Sequence, residues 1–245
     1  MKTKFNSIQH LDSPKLLNFA FILAIAFSSI MQTGCVVYVP NVINTPLLSN
    51  KGDVQANLNF GESGFDPQLS AAVSDHVGMM LNGSFRFNAD NSIYGEVHNF
   101  VEAGAGYYTQ FENVGRFEVY GGAGFGNLKA TYDGDVFSQP NLDVHTFRLF
   151  LQPDVGVKTR YFDGSFASRL VWLNLDLGNE TTTNFFIEPA ITFKGGTKSV
   201  KAVLQFGYSF QTSYIDNFYE PVLFSIGIQG TFGGKSLQAK KQPTL

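Results

Sequence analysis

From Gly52 to Phe232 apolar and polar residues alternate with a period of two, and an alternation sustained over most of a chain leaves little room for anything but β-structure. Successive strand side chains point to opposite faces, so one parity of each strand forms an apolar surface and the other a polar one. The sixth predicted strand is the cleanest, with Phe147, Leu149, Leu151, Val155 and Val157 on one face and Arg148, Gln152, Asp154, Lys158 and Arg160 on the other. The ninth sets Val200, Ala202, Leu204, Phe206, Tyr208 and Phe210 against Lys201, Gln205 and Ser209. The tenth sets Val222, Phe224, Ile226, Ile228 and Phe232 against Ser225, Gln229 and Thr231. Strands one to five, carrying Val54, Phe65, Met79, Val101 and Phe117, and the eighth, carrying Ile187, obey the same rule. The seventh does not: Val171, Leu173 and Leu175 share a parity with Arg169, while Leu170 and Trp172 fall beside Asn174 and Asp176. A bulge, or an Arg169 snorkelling at a membrane edge, would reconcile it. No amphipathic stretch with a 3.6-residue period interrupts the series.

Connection lengths alternate too. The links after strands two, four, six and eight are brief ("SDH", "ENVG", "FDG", "GGTKS"), and those after three, five, seven and nine are longer or more polar ("NADNSIYGE", "YDGDVFSQPNLD", "GNETTTN", "TSYIDNFYE"). Only the first link, "GESG", breaks the pattern. Over residues 52–232 the chain resembles the small bacterial outer-membrane β-barrel proteins, and the resemblance implies an antiparallel up-and-down transmembrane β-barrel of about ten strands. It also implies short turns in the periplasm, long loops outside, and both termini periplasmic. Barrels of this class commonly end their last strand on an aromatic residue read by the assembly machinery; Phe232 is the candidate, followed by a tail over 233–245.

Alternation alone does not say which face points inward, because a lipocalin-like barrel carries its apolar residues inside. Composition weighs on the choice. Charged residues make up 15% of the chain, against about 25% in ordinary soluble domains, while aromatic residues make up another 15%. A soluble barrel would have to pack its many bulky apolar side chains into the lumen and expose a polar face poor in charge. In the membrane arrangement the polar parity lines the lumen, which then contains Arg86, Glu102, Glu118, Arg148, Asp154, Lys158, Glu188 and Lys201. Their mixed signs suit ion pairs that fill a narrow barrel, and ten strands leave at most a narrow passage. Aromatic pairs near strand ends (Tyr107-Tyr108, Tyr161-Phe162, Phe185-Phe186, Phe218-Tyr219) suit interfacial girdles.

Ahead of the barrel, Lys2, Lys4 and Lys15 precede the uncharged apolar run Leu16 to Ile30, a length suited to a signal-peptide core and short for a spanning helix. The chain's single cysteine, Cys35, follows at once in "TGC" and has no partner for an internal disulfide. Thr33-Gly34-Cys35 resembles the end of a bacterial lipoprotein signal, although Gln32 departs from the aliphatic residue usual in that position. The resemblance implies cleavage before Cys35 and acylation of its sulfur. Residues 1–34 are then a signal peptide and 35–51 a lipidated linker, in which Val36 to Asn50 could obstruct a passage from below.

The formal charge of −3 argues against a nucleic-acid partner. The omptin proteases are also ten-stranded and use acidic residues with a histidine near the outer rim. Asp143 with His145, or Asp90 and Glu96 with His98, would be the corresponding groups, but His145 falls on the apolar parity. "YGGAGFGN" at Tyr120 to Asn127 lies within a strand with no helix behind it and lacks the spacing of a phosphate loop. His76 reads as a turn residue, and "NET" at Asn179 as an acceptor site without meaning in a bacterial chain. No cofactor or metal site is expected. The expectation is a non-enzymatic outer-membrane lipoprotein barrel with a structural or interaction role, whose partners are outer-membrane lipid and the barrel-assembly and lipoprotein-processing machineries. The alternatives are a narrow channel for small solutes, or a lipid-tethered soluble barrel that binds an apolar ligand.

Overall fold

A computed structural model describes residues 38–86, 94–132, 142–178, 180–212, 219 and 221–233; Cys35, Asp90, Phe218 and the tail after Gly233 lie outside them. The elements are β1 (Val54–Gly61), β2 (Gly64–Ala72), β3 (Val77–Arg86), β4 (Tyr94–Phe111), β5 (Gly115–Tyr132), β6 (Leu142–Lys158), β7 (Phe162–Asp176), β8 (Thr181–Gly196), β9 (Val200–Tyr208), β10 (Phe210–Gln211) and β11 (Val222–Phe232). From β1 to β9 each strand pairs antiparallel with the next along the chain, β10 pairs with β8, and β11 pairs with both β9 and β1, so the sheet closes on itself. The short β10 continues β9: Ala190 lies opposite Gly207 and Ile187 opposite Phe210, in one unbroken register along β8. The wall is therefore a closed antiparallel barrel of ten strands. Closure removes the exposed edges that an open sheet would present.

Three prolines sit within these strands, a place where proline normally argues against a central strand. Beside Pro189 the β8–β9 ladder pauses, beside Pro153 the β6–β7 ladder pauses, and beside Pro67 the β2–β3 ladder pauses. The register resumes unchanged in each case, and the ladder on the other flank is intact. The missing N–H thus costs a local gap and no slip, because the next pair on either side holds the strands in place.

The polar parity faces in. In β6, Arg148, Gln152 and Asp154 are buried while Leu149, Leu151 and Val155 are exposed on the outside. The seventh strand needs no bulge: it alternates strictly, with Asp163, Ser165, Ala167, Arg169, Val171, Leu173 and Leu175 all buried. Its ambiguity in the sequence arises because both faces change polarity along its length. Leu170 and Trp172 give way to Asn174 and Asp176 outside, while inside Arg169 gives way to an apolar patch that includes Val144, Phe150 and Phe186. The lumen is therefore not polar throughout.

Two details differ from the sequence expectation. Tyr94-Gly95-Glu96, read there as loop, pair with Tyr132-Thr131-Ala130, so β4 and β5 extend further than their apolar parity shows. Of the aromatic pairs, one member each faces out (Tyr107, Phe185) and the other in (Tyr108, Phe186), as strand neighbours must; Tyr161 and Phe162, at a turn, are both exposed.

The segment Tyr38–Asn50 lies inside this wall. Near Asn50 it meets the turn end, where the Asp53 carboxylate accepts the Ser49 and Asn50 N–H groups at 3.1 Å each. Its other end, Tyr38, forms a bridge to Tyr219 in the connection between β10 and β11, on the loop side. Extended, such a stretch reaches about 40 Å, enough to run through a bilayer core of about 30 Å, and Pro40 and Pro46 bias their neighbourhoods toward extended backbone. The two chain ends themselves lie outside the described residues. The described residues begin at Tyr38 toward the loop end and finish at Gly233 beside Gly52 at the turn end. The chain crosses the barrel once before it starts to build it.

Candidate functional site

The lumen is the candidate site, and what occupies it is the chain itself. Its middle is a quartet of two arginines and two glutamates, wholly buried. Glu102 on β4 pairs with Arg148 on β6 and, at 3.4 Å, with Arg169 on β7; Arg169 grips Glu188 on β8 through Nε at 2.8 Å and Nη2 at 2.7 Å. The segment completes it. The Tyr38 hydroxyl donates to Glu188 at 2.7 Å and accepts from Arg148 at 3.1 Å, while the Asn41 side chain accepts from Arg148 at 2.6 Å. Buried charges persist only when they are paired and hydrogen-bonded, and here Asn82 and Ser209 supply further donors to the glutamates.

Below the quartet the wall reads the segment's main chain. Arg169 donates to the Asn41 carbonyl at 3.0 Å, Gln68 to that of Val42 at 2.7 Å, and Gln152 to that of Asn44 at 2.8 Å. Gln205 accepts the Ile43 N–H and donates to the Ile43 carbonyl, both at 2.8 Å. Lys194 holds the Thr45 carbonyl at 2.5 Å and Lys158 that of Leu47 at 2.8 Å. At Leu47 the backbone turns through the left-handed region (φ 52°), a strained conformation for a branched residue. The Glu118 carboxylate holds it there by accepting the N–H groups of both Leu47 and Leu48, at 3.0 and 2.5 Å. Successive N–H groups converging on one anion form the cradle that such a turn creates.

Side chains of the segment add apolar anchors. The Tyr38 ring lies 4.6 Å from that of Phe186, Ile43 packs with Ala167, Ala190 and Leu223, and Leu48 packs with Ala72 and Tyr108. Between Tyr38, His98, Arg148 and Leu173 remains a space of about 10 Å³, room for no more than one water.

Of the residues that the sequence places in the lumen, Glu102, Arg148 and Glu188 belong to the quartet, and Glu118 and Lys158 to the lower cradle. Lys201 pairs instead with Asp163 at 2.6 Å near the turn end. Asp154 is buried on the inward face, and Arg86 is half-buried on that parity at the loop end of β3. Sequence reasoning did not assign Arg169, Lys194, Asp163 or Arg116 to this network; it placed Val36 to Asn50 as a possible obstruction, without the wall residues that hold it. A signal for the segment existed: Val36 to Asn50 carries no charge and two prolines, unlike an exposed linker.

Of the groups weighed for catalysis, those whose side chains are described do not converge. Asp143 and His145 are exposed on β6, Asp143 paired with Lys129 at 3.0 Å, while His98 is buried inside.

No protein-family model and no curated protein matches the sequence. Among solved structures the chain is similar to a KdgM porin at 12% identity, over 74% of this chain and 99% of that one, with a TM-score of 0.36.

Proposed function

We propose that this chain is an outer-membrane barrel with a polar lumen one polypeptide wide, a channel body that its own Tyr38–Asn50 segment holds shut. The observation that carries the reading is the occupant: besides the charged pairs they make with one another, side chains of the wall bind a separate stretch of backbone that runs through the lumen. A lumen that houses a strand has room for solutes when that strand leaves. The outer surface supports the membrane placement, since Phe60, Leu81, Phe125, Leu151, Phe166, Ile191 and Ile226 all project outward from a wall without edges. A soluble barrel binding an apolar ligand needs the opposite arrangement.

With the turns periplasmic, as in the barrels this chain resembles, Gly233 lies on the periplasmic side and Tyr38 toward the cell exterior. Acylation of Cys35 has a consequence in this arrangement. Cys35 precedes Tyr38 by three residues, at most about 11 Å of chain, so the lipid would enter the outer leaflet. A fluorescently labelled antibody against an epitope placed directly after Cys35 is expected to stain intact cells; staining only after permeabilisation would refute this orientation.

The reading as a whole is tested on purified outer membranes and then in planar bilayers. The protein is expected to remain in the pellet after a carbonate wash, to migrate differently with and without boiling, and to give rare openings as the intact chain. Release by carbonate would refute the membrane placement, and steady conductance by the intact chain would refute the closed state. A purely structural role predicts silence even after the segment's anchors are removed.

A further inference from the structure

The outer surface carries a shallow apolar groove near the turn end. On the β8–β9 ladder Gly195 and Ala202 lie opposite each other and face outward, and a side-chain atom added at Gly195 would meet nothing within 4 Å. Around this low floor stand Phe162 and Phe193 on one side and Phe60 and Ile228 on the other, enclosing an apolar groove of about 690 Å³. Small residues also face outward at Ala103, Ala105, Gly121 and Ala123 on β4 and β5, but there no basic turn lies beneath them. The groove lies only a few residues above the turn end.

The turns beneath it differ from the others in charge. The β6–β7 turn carries Arg160 and the β8–β9 turn carries Lys198, both exposed, and the Gly196 N–H donates to the Tyr161 carbonyl at 2.9 Å, so the two turns are held together. Neither basic group pairs with a carboxylate among the described residues. The turns under β2–β3 and β4–β5 carry Asp75 and Glu112 instead. Tyr161, 62% exposed, stands beside Arg160 at the level where aromatic rings meet lipid headgroups.

An apolar groove opening toward hydrocarbon, with unpaired cations at its water-facing end, is complementary to one class of molecule. We infer that the groove binds an anionic phospholipid, one acyl chain lying over Gly195 and Ala202 and the phosphate resting between Arg160 and Lys198. A neutral or zwitterionic lipid would fill the same groove without using the cations. A protein partner inserted into the bilayer would have no need of the charge at the rim. The inference rests on the membrane placement proposed above, and it adds a ligand with its own charge requirement.

The test uses the full-length protein in non-ionic detergent, first shown by its boiling-dependent migration to be an intact barrel. Native mass spectrometry then follows titration with phosphatidylglycerol, phosphatidylethanolamine or lipopolysaccharide. Phosphatidylglycerol is expected to be retained about tenfold better than phosphatidylethanolamine, because basic residues at a membrane surface favour anionic headgroups. Arg160→Glu with Lys198→Glu should abolish that preference, and Gly195→Leu with Ala202→Leu should abolish retention by filling the floor, with the barrel's migration unchanged. Equal retention of the two phospholipids, retention indifferent to both double variants, or a preference for lipopolysaccharide would overturn the inference. A dimer that excludes lipid would assign the groove to a second copy and overturn it as well. A protein that fails the migration test refutes the membrane reading instead, which keeps the two failures distinct.

Discussion

Replacing Tyr38, Ile43 and Leu48 together by serine is expected to turn a closed barrel into a conducting one. These are three of the segment's buried apolar side chains, beside Val39, Val42 and Leu47, and none belongs to the wall. Burying a large apolar side chain is worth about 1.5–3 kcal/mol, so their loss removes about 4.5–9 kcal/mol from the segment's hold. The main-chain hydrogen bonds to Gln205, Gln68, Lys194 and Glu118 remain, contributing about 0.5–1.5 kcal/mol net each for the two amides and about 1.5–3 kcal/mol for the two charged groups. Every 1.4 kcal/mol is a factor of ten, so the open fraction should rise by at least about a thousandfold. Single-channel recording reads this as a change from rare to frequent openings, and heat-modifiable migration shows that the wall is still assembled. A variant that assembles and stays silent would show that the wall closes without its occupant, which would sink the channel reading.

Arg169→Met is expected to have the largest effect on stability. Arg169 is fully buried and joins Glu102, Glu188 and the Asn41 carbonyl, so its removal leaves carboxylates short of a partner in a site that admits almost no water. Breaking one member of a buried ion-pair network costs about 3–5 kcal/mol. For a domain of this size that corresponds to a fall of about 10 °C in the temperature at which the folded band on unboiled gels converts to the unfolded one. Arg169→Met with Glu188→Met should recover part of the loss, because a charge left alone is worse than no charge. Lys129→Ala serves as the control: its pair with Asp143 is about half exposed, and its loss should cost under about 1 kcal/mol. An Arg169→Met protein as stable as the parent would mean that the quartet is not what holds β4, β6, β7 and β8 to the segment.

The two variants probe different layers of the same lumen, and the distinction explains a feature of the sequence. Most wall contacts to the segment end on backbone carbonyls and N–H groups, so the wall's polar residues could be read from alternation without any knowledge of what they bind. Arg148, Glu102 and Glu188 were legible in this way, since each sits opposite apolar neighbours on a regular strand. Arg169 was not, because Val171, Leu173 and Leu175 share its parity and a period-two reading then gives no clean face. What made sense of that strand was the vertical division of the lumen into a charged middle and an apolar upper part that meets the Tyr38 ring.

Strand positions, apart from some strand ends, and the antiparallel order were thus legible in the sequence, because each depends on side chains two residues apart or on neighbouring hairpins; the direction of the polar face was favoured by composition and decided by the tertiary structure. The tertiary structure decided what fills the barrel and from which end. Ile43 and Gln205 are 162 positions apart, and Tyr38 and Glu188 are 150 apart, so no local pattern could pair them. The same holds for the lipid-facing groove, whose floor and basic rim come from strands and turns brought together only by closure. A period of two specifies a wall; it takes the closed wall to create an inside, and only there do the uncharged residues from Tyr38 to Asn50 find the hydrogen-bond partners that a free linker would have taken from water.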